Sequence, residues 1–173
     1  MFSLFFPNDS EMVQNQEEHQ YLQLVSHIIL HGDVRETRNG VCRTLFGAGL
    51  SFDLSDGTFP LLTTKKVSFR NIFYELIWFM MGDCNITFLK HNNVHIWDGN
   101  AEQWGHNDLG PIYGKQFRSS GPKGVDQVAY CLNLIKTDPT SRRIVISLWN
   151  PSDLTDQALP CCKCIPTYSC CLT

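Results

Sequence analysis

The sequence predicts an α+β fold, because helix-like and strand-like patterns alternate along its 173 residues. Loose alternation of apolar residues over 45–54 and a β-branched apolar run over 143–149 predict two strands, the second of them buried. Apolar residues at helical spacing predict four helices, over 20–31, 69–81, 86–92 and 125–137. The chain has neither an internal repeat nor a linker, so we expect one globular domain.

Glycines, prolines and polar residues mark the ends of these elements. Gly32 is placed to cap the first helix, Gly82 ends the second, and Asp138-Pro139 stops the last. Asn39-Gly40 predicts a turn in the polar stretch before the first strand. Residues 97–117 contain so many glycine, asparagine and aromatic side chains that they predict no regular element.

Composition argues against several classes of protein. With 43% hydrophobic and 18% charged residues, the chain can bury a core of its own. A net charge of −3 gives no support to DNA as a partner. No apolar run approaches the ~18 residues of a membrane span, and the first residues lack the basic leader and apolar stretch of a signal peptide. We therefore expect an intracellular chain, in the cytoplasm and with the nucleus as a further compartment.

The eight cysteines are unevenly placed. Five of them crowd into the end of the sequence: Cys161, Cys162, Cys164, Cys170 and Cys171. A disulfide framework would spread them through a small secreted domain. Cys161 and Cys164 form a Cys-x-x-Cys pair, but no second pair at zinc-ligand spacing and no nearby histidine accompanies it. We expect no metal site.

Glu75 is the one acid in the apolar run Phe73–Phe79. Such a residue can simply form the polar edge of an amphipathic helix. Its apolar neighbours also favour burial, and a buried carboxylate has to be paired or protonated, which suits general acid/base work. On the residues alone, the two interpretations are balanced.

Three further groups of residues have both an ordinary structural interpretation and a functional one. Arg142 and Arg143 open the second strand, where adjacent arginines are usually surface charge but also match phosphate oxygens. The aromatic and glycine-rich segment Trp97–Gly114 is more often core packing than a platform for a planar heterocycle. Cys162 could act as a nucleophile if arginines lay nearby, but a cysteine among cysteines is not by itself assigned a catalytic role.

Taken in order, these segments resemble the thymidylate synthases from about residue 19 to residue 160. The motifs that carry the resemblance are Asp56–Lys66, Tyr74–Phe79, Asn93–Asp98, Asp108–Arg118, Val125–Gln127, Ser141–Ile144 and Trp149–Pro151. Each motif alone is weak, whereas their common order and spacing are specific.

The resemblance implies helices packed on a mixed β-sheet. It implies an enzyme that converts dUMP to dTMP by reductive methylation, with 5,10-methylenetetrahydrofolate as co-substrate, no metal, and a homodimeric assembly. Residues 1–18 would then be a variable, disordered extension, and residues 19–160 the N-terminal part of the synthase domain. Residues 161–173 would be an aberrant cysteine-rich tail, and the fold would be incomplete at its C-terminus.

The family's motifs also imply roles for matching residues. Cys162 matches the thiolate that adds to C6 of the pyrimidine, and Glu75 matches the acid that works through waters on the pyrimidine and cofactor. Arg38, in a loop one residue shorter than the family pattern, is the nearest match to a phosphate arginine. Arg142 and Arg143 match a pair that reaches across the dimer to the partner's nucleotide phosphate, and Tyr113 matches a residue near the nucleophile. The positions beside the folate are matched by Lys65, Trp97 and Asn100.

The sequence departs from the family pattern after Pro160. Lys163 stands where the family has the histidine of its Pro-Cys-His motif, and Pro166 interrupts an expected central strand. We interpret the change as a truncation or frameshift. Because a synthase needs its full set of positioning groups, we predict little or no activity and poor stability for this chain alone.

Three alternatives remain open at this point. A pyrimidine-nucleotide hydroxymethylase would share the framework and act on dCMP or dUMP. A non-catalytic partner or regulator of a full-length synthase would donate Arg142 and Arg143 to its partner's site. A decayed gene product would have no function.

Overall fold

The structure, a computed structural model, describes residues 16–37 and 40–161 and divides into two compact units between Val67 and Ser68. The first unit contains α1 (Gln16–His31), β1 (Asp33–Thr37) and β2 (Gly40–Thr44). The second contains α2 (Phe69–Met80), α3 (Thr87–His91), α4 (Asp98–Trp104), α5 (Tyr113–Arg118), α6 (Gln127–Thr137) and a 3₁₀ turn (Pro151–Asp153). Helices together with a small antiparallel sheet agree with the predicted α+β class.

The two strands of the first unit form a hairpin. They pair antiparallel, with Asp33 opposite Thr44 and Thr37 opposite Gly40. The turn predicted around Asn39-Gly40 falls at their connection, although Asn39 lies outside the described residues. All five side chains of β1 are exposed, so this strand has no buried face and no alternating apolar pattern. That is why the sequence indicated only a polar stretch with a turn.

Glu18 on α1 forms hydrogen bonds with residues 63 and 64, near the end of the first unit. Its side chain is buried, and its carboxylate accepts hydrogen bonds from Thr63 N (2.7 Å), Thr63 Oγ1 (2.6 Å), Thr64 N (2.9 Å) and Thr64 Oγ1 (2.8 Å). Burial by itself raises the pKa of this carboxyl, but the hydrogen bonds from Thr63 and Thr64 outweigh it and lower the pKa from 4.5 to about 2. α1 begins at Gln16, three residues before the domain start expected from the sequence.

The prediction of a strand over 45–54 is wrong, since these residues form no strand in the structure. Their backbone groups form hydrogen bonds with side chains of α1 instead. Ser51 N donates to Gln20 Oε1 (2.9 Å), and Gln20 Nε2 donates back to Ser51 O. Asp53 N donates to the Glu17 carboxylate. One glutamine amide thus makes the two bonds that a neighbouring strand would otherwise make.

The core of the second unit surrounds Trp78 of α2. Trp78 is fully buried, and its indole N–H donates to Asn85 O (3.0 Å) just before α3. The side chains buried with it belong to α3, α4 and the segments around them: Ile86, Leu89, Val94, Trp97, Ala101, Leu109 and Ile112. On the other side of α2, Phe69, Phe73 and Leu76 are about half exposed. α2 therefore carries more apolar side chains than the core of the second unit buries.

The predictions for the four helices are confirmed within a few residues. Ser68 caps the start of α2 by accepting from Asn71 N (3.4 Å), and Gly82, at φ +73°, ends it. Asp126 caps α6 by accepting from Ala129 N (2.8 Å).

The expectation that 97–117 contains no regular element is wrong, because α4 and α5 lie there. Both helices are short, at seven and six residues. Helices of this length depend on tertiary packing rather than on intrinsic propensity, and Ala101 and Ile112 supply that packing.

The predicted buried strand over 143–149 is also wrong. Val145 forms an isolated bridge, and residues 146–150 belong to no strand. Gln127 of α6 bonds this segment: Ser147 N donates to Gln127 Oε1 (2.9 Å), and Gln127 Nε2 donates to Ser147 O (2.7 Å). The apolar pattern of this segment is real, but no strand of the described chain pairs with it to form a sheet.

None of the helices in the described ranges has the length and apolarity needed to cross a membrane.

The buried Glu18 carboxylate predicts a pH dependence of stability. Because the folded pKa of about 2 lies below the ordinary 4.5, Glu18 should stabilise the fold fully above pH 4.5 and lose that contribution as the pH falls towards 2. The stability difference between the wild type and Glu18→Gln, measured by thermal unfolding with circular dichroism, should shrink across this window. Glu36→Gln, which removes an exposed carboxylate of β1, serves as the control. A difference that stays constant from pH 6 to pH 2 would contradict the assignment.

Candidate active site

Glu75 and Trp97 are joined by a hydrogen bond. α2 carries Glu75 on a half-buried face, and Trp97 precedes the first residue of α4. The Trp97 indole N–H donates to Glu75 Oε1 at 2.7 Å. The residues alone left Glu75 balanced between the polar edge of a helix and a buried, paired carboxylate. In the structure it is paired with Trp97 and partly rather than fully buried.

Aromatic rings fix Trp97 on several sides. Its ring meets Trp78 at 5.7 Å, Phe79 at 6.4 Å and Tyr113 at 6.1 Å between centroids, all nearly edge to face. Phe79 and Tyr113 in turn lie 4.9 Å apart. Trp97 is only 7% exposed, so a ligand would meet an edge of its ring rather than an open face.

Asn100 extends this group by one turn of α4. It lies three residues after Trp97, a spacing that puts the two side chains on the same side of a helix. Asn100 is half-buried, and no described residue makes a hydrogen bond to its amide. α2, α4 and α5 thus bring four predicted site residues together: Glu75, Trp97, Asn100 and Tyr113. A carboxylate, an amide and aromatic edges are the kinds of group that line sites for planar ligands with polar edges.

A close approach of α5 to the end of α2 sets the position of Tyr113. Gly114 is buried, and a Cβ added there would lie 2.2 Å from Asp83 O. Only glycine permits this contact, so the residue after Tyr113 cannot carry a side chain without moving α5. The aromatic position therefore depends on the glycine beside it.

Arg142 and Arg143 lie together on the surface of the second unit. Both are exposed, and neither guanidinium forms an ion pair or hydrogen bond with a described residue. They line a depression of about 490 Å³ together with Asp138, Thr140 and Ser141. Two guanidinium groups without a described ionic partner, beside two hydroxyl groups and one carboxylate, leave a net positive charge suited to an anion such as phosphate.

The remaining predicted site residues lie in the first unit or outside the residues that the structure describes. Lys65 is exposed in the first unit, next to the threonines that Glu18 binds. Arg38 and Cys162 lie outside the described residues, so their roles stay predictions. Cys161, the residue before the predicted nucleophile, is 3% exposed.

Another free thiol is a poor candidate for the nucleophile. Cys84 packs against the core of the second unit, and this burial raises the pKa of its thiol despite backbone hydrogen bonds from Lys115 and Ile112. A raised pKa reduces the thiolate fraction at neutral pH, and the thiolate is the reactive form. Cys84 therefore does not compete with Cys162 for that role.

Sequence reasoning missed a buried polar network that positions the chain leading to Cys161. Gln116 is 1% exposed, and its Nε2 donates to Pro111 O (2.9 Å) and Asp153 Oδ2 (2.7 Å). Asn150 Nδ2 donates to the same Asp153 oxygen (2.8 Å). Apolar periodicity cannot reveal a buried glutamine, but Asn150-Pro151, a capping residue followed by proline at the first helical position, could have identified the turn.

Strong coupling is expected between Glu75 and Trp97. A hydrogen bond to a charged acceptor contributes about 1.5–3 kcal/mol, so a Glu75→Ala and Trp97→Phe double-mutant cycle should give a coupling of about 1.5 kcal/mol. Urea unfolding followed by tryptophan fluorescence measures it, because all four tryptophans lie in the second unit. Glu102→Ala, on the exposed side of α4, provides the matched control with Trp97→Phe. Equal coupling for Glu75 and Glu102 would contradict a specific bond.

Comparison with known protein families matches residues 19–171 to thymidylate synthase. The match covers nearly the whole sequence of 173 residues and includes all the residues of the candidate site. It agrees with the motifs from Asp56–Lys66 to Trp149–Pro151 that suggested the resemblance. The chain belongs to the thymidylate synthase family.

Proposed function

We propose that this chain carries the residues for reductive methylation of dUMP to dTMP, with 5,10-methylenetetrahydrofolate as the second substrate. The observation that carries the proposal is the 2.7 Å bond between Trp97 and Glu75. It joins the predicted acid to a predicted folate-side aromatic in one rigid group, within a chain of this family. When bound, the folate supplies the one-carbon unit and the reducing equivalents.

Glu75 would act as a proton donor and acceptor through water. One carboxylate oxygen is held by the Trp97 indole N–H, which orients the group. The second oxygen can then bond to waters that reach the pyrimidine. Because α2 and the aromatic rings fix this geometry, little reorganisation is needed when the substrate binds.

The Cys162 thiolate would add to C6 of the pyrimidine. The bond to C6 uses the thiolate electron pair, and the C5–C6 π electrons move to make C5 nucleophilic towards the one-carbon unit. Loss of the C5 proton would then accompany cleavage of the bond between the one-carbon unit and the folate nitrogen. Transfer of a hydride from the folate to that carbon, with elimination of the thiolate from C6, would complete the methyl group and regenerate Cys162.

The paired guanidinium groups of Arg142 and Arg143 would bind the dUMP phosphate. Their exposure and lack of ionic partners within the described chain leave them able to bind an outside anion. In a homodimer, an exposed pair of this kind can reach a nucleotide held by the partner subunit. Asn100 would contact the folate, as its match to the family's motif implies.

We further propose that the unaltered chain turns over slowly. Lys163 occupies the position of the histidine that follows the nucleophile in the family's Pro-Cys-His motif. A lysine after Cys162 changes the charge and the hydrogen-bonding groups beside the nucleophile, so the thiolate would be poorly oriented for attack.

Removing either arginine should weaken dUMP binding through the phosphate. Arg142→Ala and Arg143→Ala should each reduce affinity for dUMP about tenfold, the effect of losing a charge-assisted hydrogen bond of about 1.4 kcal/mol. Isothermal titration calorimetry measures the loss. Deoxyuridine, which lacks the phosphate, should bind all variants equally, and Arg70→Ala, an exposed arginine over the Tyr74 ring, should leave dUMP binding unchanged. Equal losses for dUMP and deoxyuridine would argue against a phosphate contact.

Turnover tests both the reaction and the proposed defect. Purified chain with dUMP and methylenetetrahydrofolate should form dTMP slowly, Lys163→His should form it faster, and Cys162→Ala should form none, as measured by chromatography. Robust turnover by the unaltered chain would overturn the proposed defect. Equal dTMP formation by Lys163→His and Cys162→Ala would count against the proposed reaction.

A further inference from the structure

Two histidines lie side by side on the exposed face of α1. His27 and His31 are one helical turn apart, both are exposed, and their ring centroids are 4.9 Å apart with the planes inclined by 48°. Residues at this spacing are neighbours on a helix surface. No described residue forms a hydrogen bond or ion pair with either ring. Both imidazoles are therefore available to bind a ligand from solution.

We propose that His27 and His31 together bind one divalent transition-metal ion. Zinc–nitrogen bonds are about 2.0–2.1 Å long, so two rings at this separation can turn one nitrogen each towards a shared ion. Histidines four residues apart on a helix are the ligand pair of helical zinc sites. Imidazole suits Zn²⁺, Ni²⁺ and Cu²⁺ and binds Mg²⁺ and Ca²⁺ poorly, which sets the class of ion.

The site is open, with two ligands from the protein. Among the described residues, no group of three or more histidine, cysteine, aspartate or glutamate side chains is placed to hold a metal ion. Water, or a donor group from another molecule, completes the coordination of an ion bound by His27 and His31. The affinity then comes from chelation, since the second imidazole binds an ion that the first has already brought close.

His19 lies on the same face of α1 and supplies an internal control. Its neighbour four residues on is Gln23, whose Nε2 lies 2.9 Å from His19 Nε2. An amide is a much weaker ligand for these ions than an imidazole. His19 therefore provides a half-buried histidine on the same helix without a chelating partner.

Calorimetric titration of the whole protein with NiCl₂ tests the site. His27→Gln and His31→Gln should each lower the affinity for one Ni²⁺ about tenfold or more, because each removes chelation. His19→Gln should leave that ion's affinity unchanged. Gln23→His, which places a histidine four residues from both His19 and His27, should add a binding site or strengthen the existing one.

The four variants change no cysteine, so any Ni²⁺ that binds to cysteines contributes equally to every titration and does not affect the comparison. Far-UV circular dichroism of each variant shows that α1 stays helical, as expected for exposed positions. Superimposable isotherms for the wild type and His27→Gln would overturn the proposal. An equal loss of affinity for His19→Gln and His27→Gln would also overturn it.

Discussion

This structure depends on finding hydrogen-bond partners for the backbone groups that lie outside its helices and paired strands. Backbone N–H and C=O groups that no helix or strand pairs need other partners, and several segments of this chain find theirs in side chains. Gln20 bonds both backbone groups of Ser51, and Gln127 bonds both backbone groups of Ser147. Glu18 accepts four hydrogen bonds from Thr63 and Thr64. Three polar side chains on helices thus hold segments that follow them in the sequence.

The same dependence shapes the candidate active site. Trp97 belongs to the hydrophobic core and to the site at once, because its ring packs on Trp78 and its indole N–H bonds Glu75. The core therefore determines where the carboxylate points. Tyr113 is held in the same way, by ring contacts on one side and the close packing of Gly114 on the other. A site supported by packed residues keeps its geometry before any ligand arrives.

Local patterns in the sequence predicted four of the six helices that the structure describes and missed the two short ones, α4 and α5. α2 has a strong apolar run and a terminating glycine, so its limits could be predicted from the residues. Strands were predicted poorly, because an extended apolar run becomes a strand only when another strand pairs with it. The run over 143–149 has that pattern and pairs with Gln127 instead. β1 and β2 do pair, and their exposed faces leave no apolar alternation to detect.

The sequence by itself determined the family, the α+β class and the identity of the candidate acid, aromatic and arginine residues. Motif order and residue chemistry are properties of the chain, so they can be read without coordinates. Only the tertiary structure decided that Glu75 bonds Trp97, that Tyr113 packs against Trp97, and that Gln116 is a buried partner of Asp153. These contacts join residues 22 and 37 positions apart. Such pairings follow from how helices pack, and no local pattern of residues specifies them.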